Sequence, residues 1–186
     1  MYATQQLRDE HEGIKTVLTV LEHLAGEMAM GRSVQIGHLA QIVDFLRTFA
    51  DACHHGKEEE HLFPALNAAG LPGEGGPVGV MLHEHTLGRA HIRGMVEALE
   101  QLQAGEDAGE DFARHALAYV ELLRAHIDKE NNILFTMAEH ILPPPVHVRL
   151  AESFDTIEQE RIGPGEHERW HEFIHTLSET YLQKAA

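Results

Sequence analysis

The sequence predicts an all-α fold: an antiparallel up-down four-helix bundle over residues 1–142, with two additional C-terminal helices in residues 143–186 that dock on it. Three observations carry this reading. Apolar residues recur three and four apart through four long stretches, the period of helices with one buried face. Gly- and Pro-rich breaks separate the stretches and leave short connections. No stretch sustains the period-two alternation of a half-buried strand.

The first helix runs its seam through Leu7, His11, Ile14, Leu18, Leu21, Ala25 and Met28, and Gly31 stands where a helix stop belongs. Ser33 is expected to cap the second helix. That helix places Leu39, Val43, Leu46, Ala50, His54, Glu58, His61 and Ala65 on one face. Pro64 removes a backbone donor and is expected to kink or tighten it. Gly70–Pro77 is a loop by composition. The third helix presents Val78, Met81, His85, Gly88, Ile92, Met95, Leu99 and Leu102, and the stretch Ala104–Gly109 breaks it. The fourth presents Phe112, His115, Tyr119, Leu123, His126, Glu130, Ile133 and Met137 before Pro143–Pro145 ends it. Val146–Ala186 reads as two shorter helices broken near Gly163–Gly165.

Composition narrows the function. Thirty Asp+Glu against 14 Lys+Arg give a net charge of −16, which argues against nucleic acid or an anionic membrane as partner. A single cysteine, Cys53, excludes a disulfide framework and a cysteine-based zinc site, and is expected to be a buried inert thiol. No apolar run reaches about 18 residues, and the polar Met1–Glu12 segment has no signal-peptide core, so a soluble cytoplasmic protein is expected. The 16 histidines are the oddity that remains.

Their positions are informative where polar residues interrupt an apolar seam. His11, His54 with Glu58, His85, and His126 with Glu130 put at least one potential ligand on the inner face of every long helix. A carboxylate in an apolar core costs several kcal/mol unless paired or bound to a cation. His54 to Glu58 and His126 to Glu130 are four apart, so each pair shares a helix face. The chain also repeats itself. The segment from His54 to Phe63 aligns with that from His126 to Phe135, with His, Lys, Glu, Leu and Phe in register, and Glu10-His11 aligns with Glu84-His85. Two helical hairpins, each offering a His plus a His-x-x-x-Glu, would together supply four His and two Glu. That is too many for one tetrahedral zinc and suits a dinuclear site with open positions.

At Asp9-Glu10-His11, Cys53–Pro64, Glu84-His85 and His126–Glu130 the sequence resembles the hemerythrin family in its HHE cation-binding branch, over roughly residues 5–142. The resemblance implies a four-helix bundle holding two non-heme iron ions with an oxo or hydroxo bridge. It implies His11, His54, Glu58, His85, His126 and Glu130 as ligands; the residue chemistry alone also admits manganese or zinc. Oxygen-carrying hemerythrins resemble a five-His set with two His four apart on the third helix, where Arg89 stands here, and with an Asp beyond the place of Glu130. The more symmetric, carboxylate-weighted set moves the expectation from reversible oxygen carriage to reaction with, or sensing of, dioxygen, peroxide or nitric oxide. A catalase-like or oxidase-like enzyme and a zinc-stabilised interaction bundle are the alternatives. A ferritin-like site is disfavoured because Glu-x-x-His does not recur on the bundle faces.

The repeat also sorts the other histidines. His55, His61, His83, His91 and His115 align with Ile127, Ile133, Asp9, Val17 and Val43. A two-fold site should not keep a ligand in one half only, so these are expected to be surface or hydrogen-bonded core residues, with His61 the least certain to stay outside because it shares a face with His54. Lys15 and Arg89, at matching places, are either rim cations or partners of Glu58 or Glu130. Tyr119 is expected to pack in the core with a satisfied hydroxyl, the sharper reading being a proton donor to a bound ligand. His167, His171 and His175 form a row on the last helix, of which His167 or His171 is the candidate to cover or complete the site.

Overall fold

The computed structural model describes residues 2–182, apart from the side chain of His167. Met1 and residues 183–186, the outer ends of the expected bundle and extension, therefore lie outside the described residues, as does the expected role of His167. Within them the chain is all-helical and has no strand. Six continuous helices follow one another: α1 (Ala3–Ala29), α2 (36–68), α3 (Pro77–Gln103), α4 (109–141), α5 (Pro144–Arg161) and α6 (Glu166–Tyr181). None among the described residues is long and apolar enough to cross a membrane.

Each boundary has a local cause. α1 ends where Gly31 takes φ 70°. The Arg32 N–H then reaches back to the Glu27 carbonyl and the Gly31 N–H to Met28, so two otherwise unpaired carbonyls are satisfied. Ser33 does not cap α2. The helix begins two residues later, behind Gln35 in extended conformation and with no side-chain cap bond. α3 opens on Pro77, whose missing donor costs nothing in a first turn.

Pro64 does not tighten α2. The helix instead widens ahead of it into a π-wound turn, Glu58–Leu62. The proline is not the reason, because α4 widens at the matching Glu130–Leu134 with Phe135 and Thr136 following. A longer π-wound stretch, Leu46–His55, has no counterpart, since α4 is regular from Gly109 to Lys129.

α1 packs on α4 and α6, α3 packs on α4 and α2, and α5 lies against α1 and the π-wound part of α2. The apolar interior is divided in two. Ile14, Ala50, Ile92 and Leu123 belong to the larger cluster; Leu7, Leu62, Met81 and Leu134 belong to the smaller. Between these pairs, one on each long helix, lie His11, His54, His85 and His126. Burying a Leu or Phe side chain contributes about 1.5–3 kcal/mol, so apolar packing on both sides holds a polar layer in place. α6 seats Trp170 edge-on against Phe45, ring centroids 5.4 Å apart. Gly13 admits Ile174, whose Cδ1 lies 3.0 Å from where a Cβ would stand.

Candidate metal centre

The structure brings all six residues expected from the sequence into this layer, each with no more than 1 % of its surface exposed. Their arrangement follows the repeat. The Nε2 atoms of His11 and His54 face each other at 2.9 Å, and those of His85 and His126 at 3.1 Å. Two carboxylates span the pairs. Glu130 lies 3.3 Å from both His11 and His126, and Glu58 lies 3.7 Å from His54 and 3.5 Å from His85. Ligand-capable atoms fall into two groups, each within 4.8 Å: His11, His54, Glu58 and Glu130, and His55, Glu58, His85 and His126.

The second group contains a residue the repeat had set aside. His55 is buried and stacks on His85 with ring centroids 3.8 Å apart. In a regular α-helix consecutive residues point about 100° apart, which takes His55 off the seam of His54. Both imidazoles nonetheless enter the core, as the matching His126 and Ile127 do on the regular part of α4, because the buried face is wide enough for both.

The far nitrogen of each ring is tied. His54 Nδ1 meets Glu10 Oε2 at 2.7 Å, and His126 Nδ1 meets Glu84 Oε2 at 2.9 Å. His85 Nδ1 meets Glu59 Oε1 at 2.6 Å, and His11 Nδ1 meets Asn131 Oδ1 at 2.9 Å. An oxygen acceptor at Nδ1 favours the proton there, so the Nε2 atoms that could hold a metal converge. The outer carboxylates have cations of their own: Lys57 on Glu10, Lys129 on Glu84, Arg89 on Glu59. The inner two have no Lys or Arg among the described residues; Glu130 has His126 at 3.3 Å. All four oxygens of Glu58 and Glu130 lack a hydrogen-bond partner among the described residues.

Titration follows from this geometry. Burial holds His54 down at about 4 despite Glu10, and lowers His85. Burial works against His126 too, but Glu130 and Glu84 outweigh it and raise the ring to about 9. Burial, then the charge of Glu130, pushes Glu58 well up; Glu130 is drawn well down against burial by His126 and His11. Burial raises Glu10, yet His54 and Lys57 together bring it to about 2. Converging lone pairs and two buried carboxylates without a Lys or Arg partner fit a multiply charged cation group.

Other expectations separate. Lys15 is a rim cation paired with Glu12, while Arg89 reaches Asp51 and Glu59. Neither forms an ion pair with Glu58 or Glu130. Tyr119 is fully buried beside Gly88, but its hydroxyl has no hydrogen-bond partner among the described residues. Cys53 is buried, and burial raises its thiol to about 12, as an inert cysteine requires. His61 is half-buried and in neither ligand group. His171 lines a cavity of about 390 Å³ that touches Glu10, and is likewise in neither group.

The helices and the His/Glu layer together define a metal-binding helical domain. Residues 2–138 match the hemerythrin HHE cation-binding domain, and the chain belongs to that family. It is also similar, at 22 % identity over 162 residues, to uncharacterized proteins of Mycobacterium tuberculosis and Mycobacterium bovis. The alignment covers 87 % of this chain and 63 % of those relatives, so the chain spans less than two thirds of their length.

Proposed function

We propose that this protein holds two non-heme iron ions in the buried layer, with His11, His54, Glu58, His85, His126 and Glu130 as ligands, and reacts with or senses dioxygen, peroxide or nitric oxide. The observation that supports it best is the pair of Nε2–Nε2 approaches, 2.9 and 3.1 Å, beside two buried carboxylates whose oxygens have no hydrogen-bond partner among the described residues. Paired lone pairs at that distance repel unless a cation or proton lies between them. The scaffold in this reading is an antiparallel four-helix bundle over residues 1–142, with 143–186 docked on it. Its support is that α1 and α3 run from the smaller apolar cluster to the larger and α2 and α4 run back.

Bound iron would supply one-electron chemistry at two neighbouring centres. The chain does the rest. Glu58 and Glu130 span the two histidine pairs and carry the negative charge that fixes two cations close together. Glu10, Glu84, Glu59 and Asn131 fix the ring orientation and proton position of the four imidazoles. The apolar clusters on either side keep bulk water from the layer.

Metal analysis of protein purified with and without air, together with an absorption spectrum, tests this. Two irons per chain with visible charge-transfer bands are expected. One tightly held zinc and no visible band would overturn it.

A further inference from the structure

We infer that His55 is a fifth imidazole ligand and that it makes the two metal positions unequal, so that they fill in order. The inference rests on the two-metal reading above and extends it.

Four independent features meet at His55. The first is place: a ligand atom of His55 lies within 4.8 Å of those of Glu58, His85 and His126. The second is orientation. His55 Nδ1 faces Asp51 Oδ1 at 3.3 Å, and Arg89 Nε holds that same oxygen at 2.8 Å. This is the arrangement of the other four rings, in which a side-chain oxygen takes Nδ1 and leaves Nε2 for a metal. Outside the layer His91 and His115 meet ring to ring and His140 meets a backbone carbonyl; His38, on the Tyr181 hydroxyl, and His175, 3.6 Å from Glu179, do face a side-chain oxygen through Nδ1, but neither joins a ligand group. The third is backbone. The π-wound stretch Leu46–His55 ends on this residue, where α4 stays regular, and such winding is frequent at functional sites. The fourth is sequence: the repeat places buried Ile127 at the matching position, so the second hairpin has no such ring.

Glu58 is common to both groups. One position then has His11, His54, Glu58 and Glu130, two imidazoles and two carboxylates. The other has His55, His85, His126 and Glu58, with Glu130 also 3.3 Å from His126, so the difference between the positions is the third imidazole. Imidazole nitrogen favours the later first-row divalent ions more than carboxylate oxygen does. Cobalt(II) should therefore enter the His55 position first and the two-imidazole position second.

The test is titration of metal-free full-length protein with cobalt(II), followed by calorimetry and visible absorption. Two steps separated by about tenfold or more in affinity are expected, since even partners of ligating residues change metal affinity ~10–100-fold. His55→Ile copies the other half of the repeat and should bring the steps together by weakening the first. His55→Phe keeps a ring against His85 without a donor nitrogen, and should do the same if the isoleucine variant folds poorly. Unchanged steps in the folded variants would overturn the inference. So would two equal sites in the unsubstituted protein, with the two-metal reading left standing. Failure to bind two ions at all would overturn both.

Discussion

The Nε2 atoms of His11 and His54 lie 2.9 Å apart, while their Nδ1 atoms are held by Asn131 and Glu10. Two rings on different helices are thus oriented so that their lone pairs meet. Without a cation this is unfavourable, so the metal-free protein should be markedly less stable. A ligand at about 1,000 times its dissociation constant adds roughly 4 kcal/mol, or on the order of 10 °C in Tm for a chain of this size. Calorimetry of loaded and chelated protein checks it; a Tm independent of free metal would contradict a metal-holding layer.

The outer acceptors should matter for affinity more than for the number of ions bound. Glu10→Gln keeps the shape but removes the charge that His54 faces. Metal affinity should fall ~10–100-fold with stoichiometry unchanged. Glu22→Gln, on the exposed Arg124 pair, is the control and should leave both quantities alone. Equal effects from the two substitutions would mean that the Glu10–His54 contact does nothing for the centre.

Two lysines at matching places in the repeat should differ in worth. Lys57 is fully buried, 2.5 Å from Glu10 and 2.9 Å from Glu158 of α5. Lys129 pairs with Glu84 but is about a third exposed. Removing one partner of a buried pair costs roughly 3–5 kcal/mol; an exposed pair contributes about 1 kcal/mol or less. Urea unfolding of Lys57→Ala and Lys129→Ala should show that contrast.

These lysines mark how far the sequence could be read. The six residues on the apolar seams were legible because a polar side chain on a buried helix face is costly and so must have a reason. The recurrence of Lys57 and Lys129 was visible, but sequence periodicity does not show that each reaches the glutamate beside the preceding histidine of its hairpin. Asn131 and Glu59 are repeat counterparts that hold His11 and His85, a pairing between hairpins that local spacing cannot reveal. His55 is a buried histidine bonded to Asp51, one of the two places expected for it; its nearness to Glu58, His85 and His126 lies between helices, where neither a 3.6-residue period nor the two-fold repeat can show it.

His147 supplies a pH dependence remote from the metal layer. It starts α5 in the core, 1 % exposed, with Nδ1 facing the Ala3 N–H at 3.4 Å and its ring edge-on to Tyr2. Burial lowers its pKa below the ordinary 6.5, only partly offset by Glu139 and the Ala138 backbone. The unfolded chain therefore takes up a proton near pH 6.5 that the folded chain declines. The neutral ring's contribution is fully present above that pH and is lost as pH falls toward the folded value, at up to about 1.4 kcal/mol per pH unit. His147→Phe keeps an aromatic ring and removes the titration. Urea midpoints of both metal-free proteins between pH 7.5 and 5.5 should diverge, with the unsubstituted chain losing more stability on acidification. Parallel curves would show that His147 takes up its proton equally in the folded and unfolded chain.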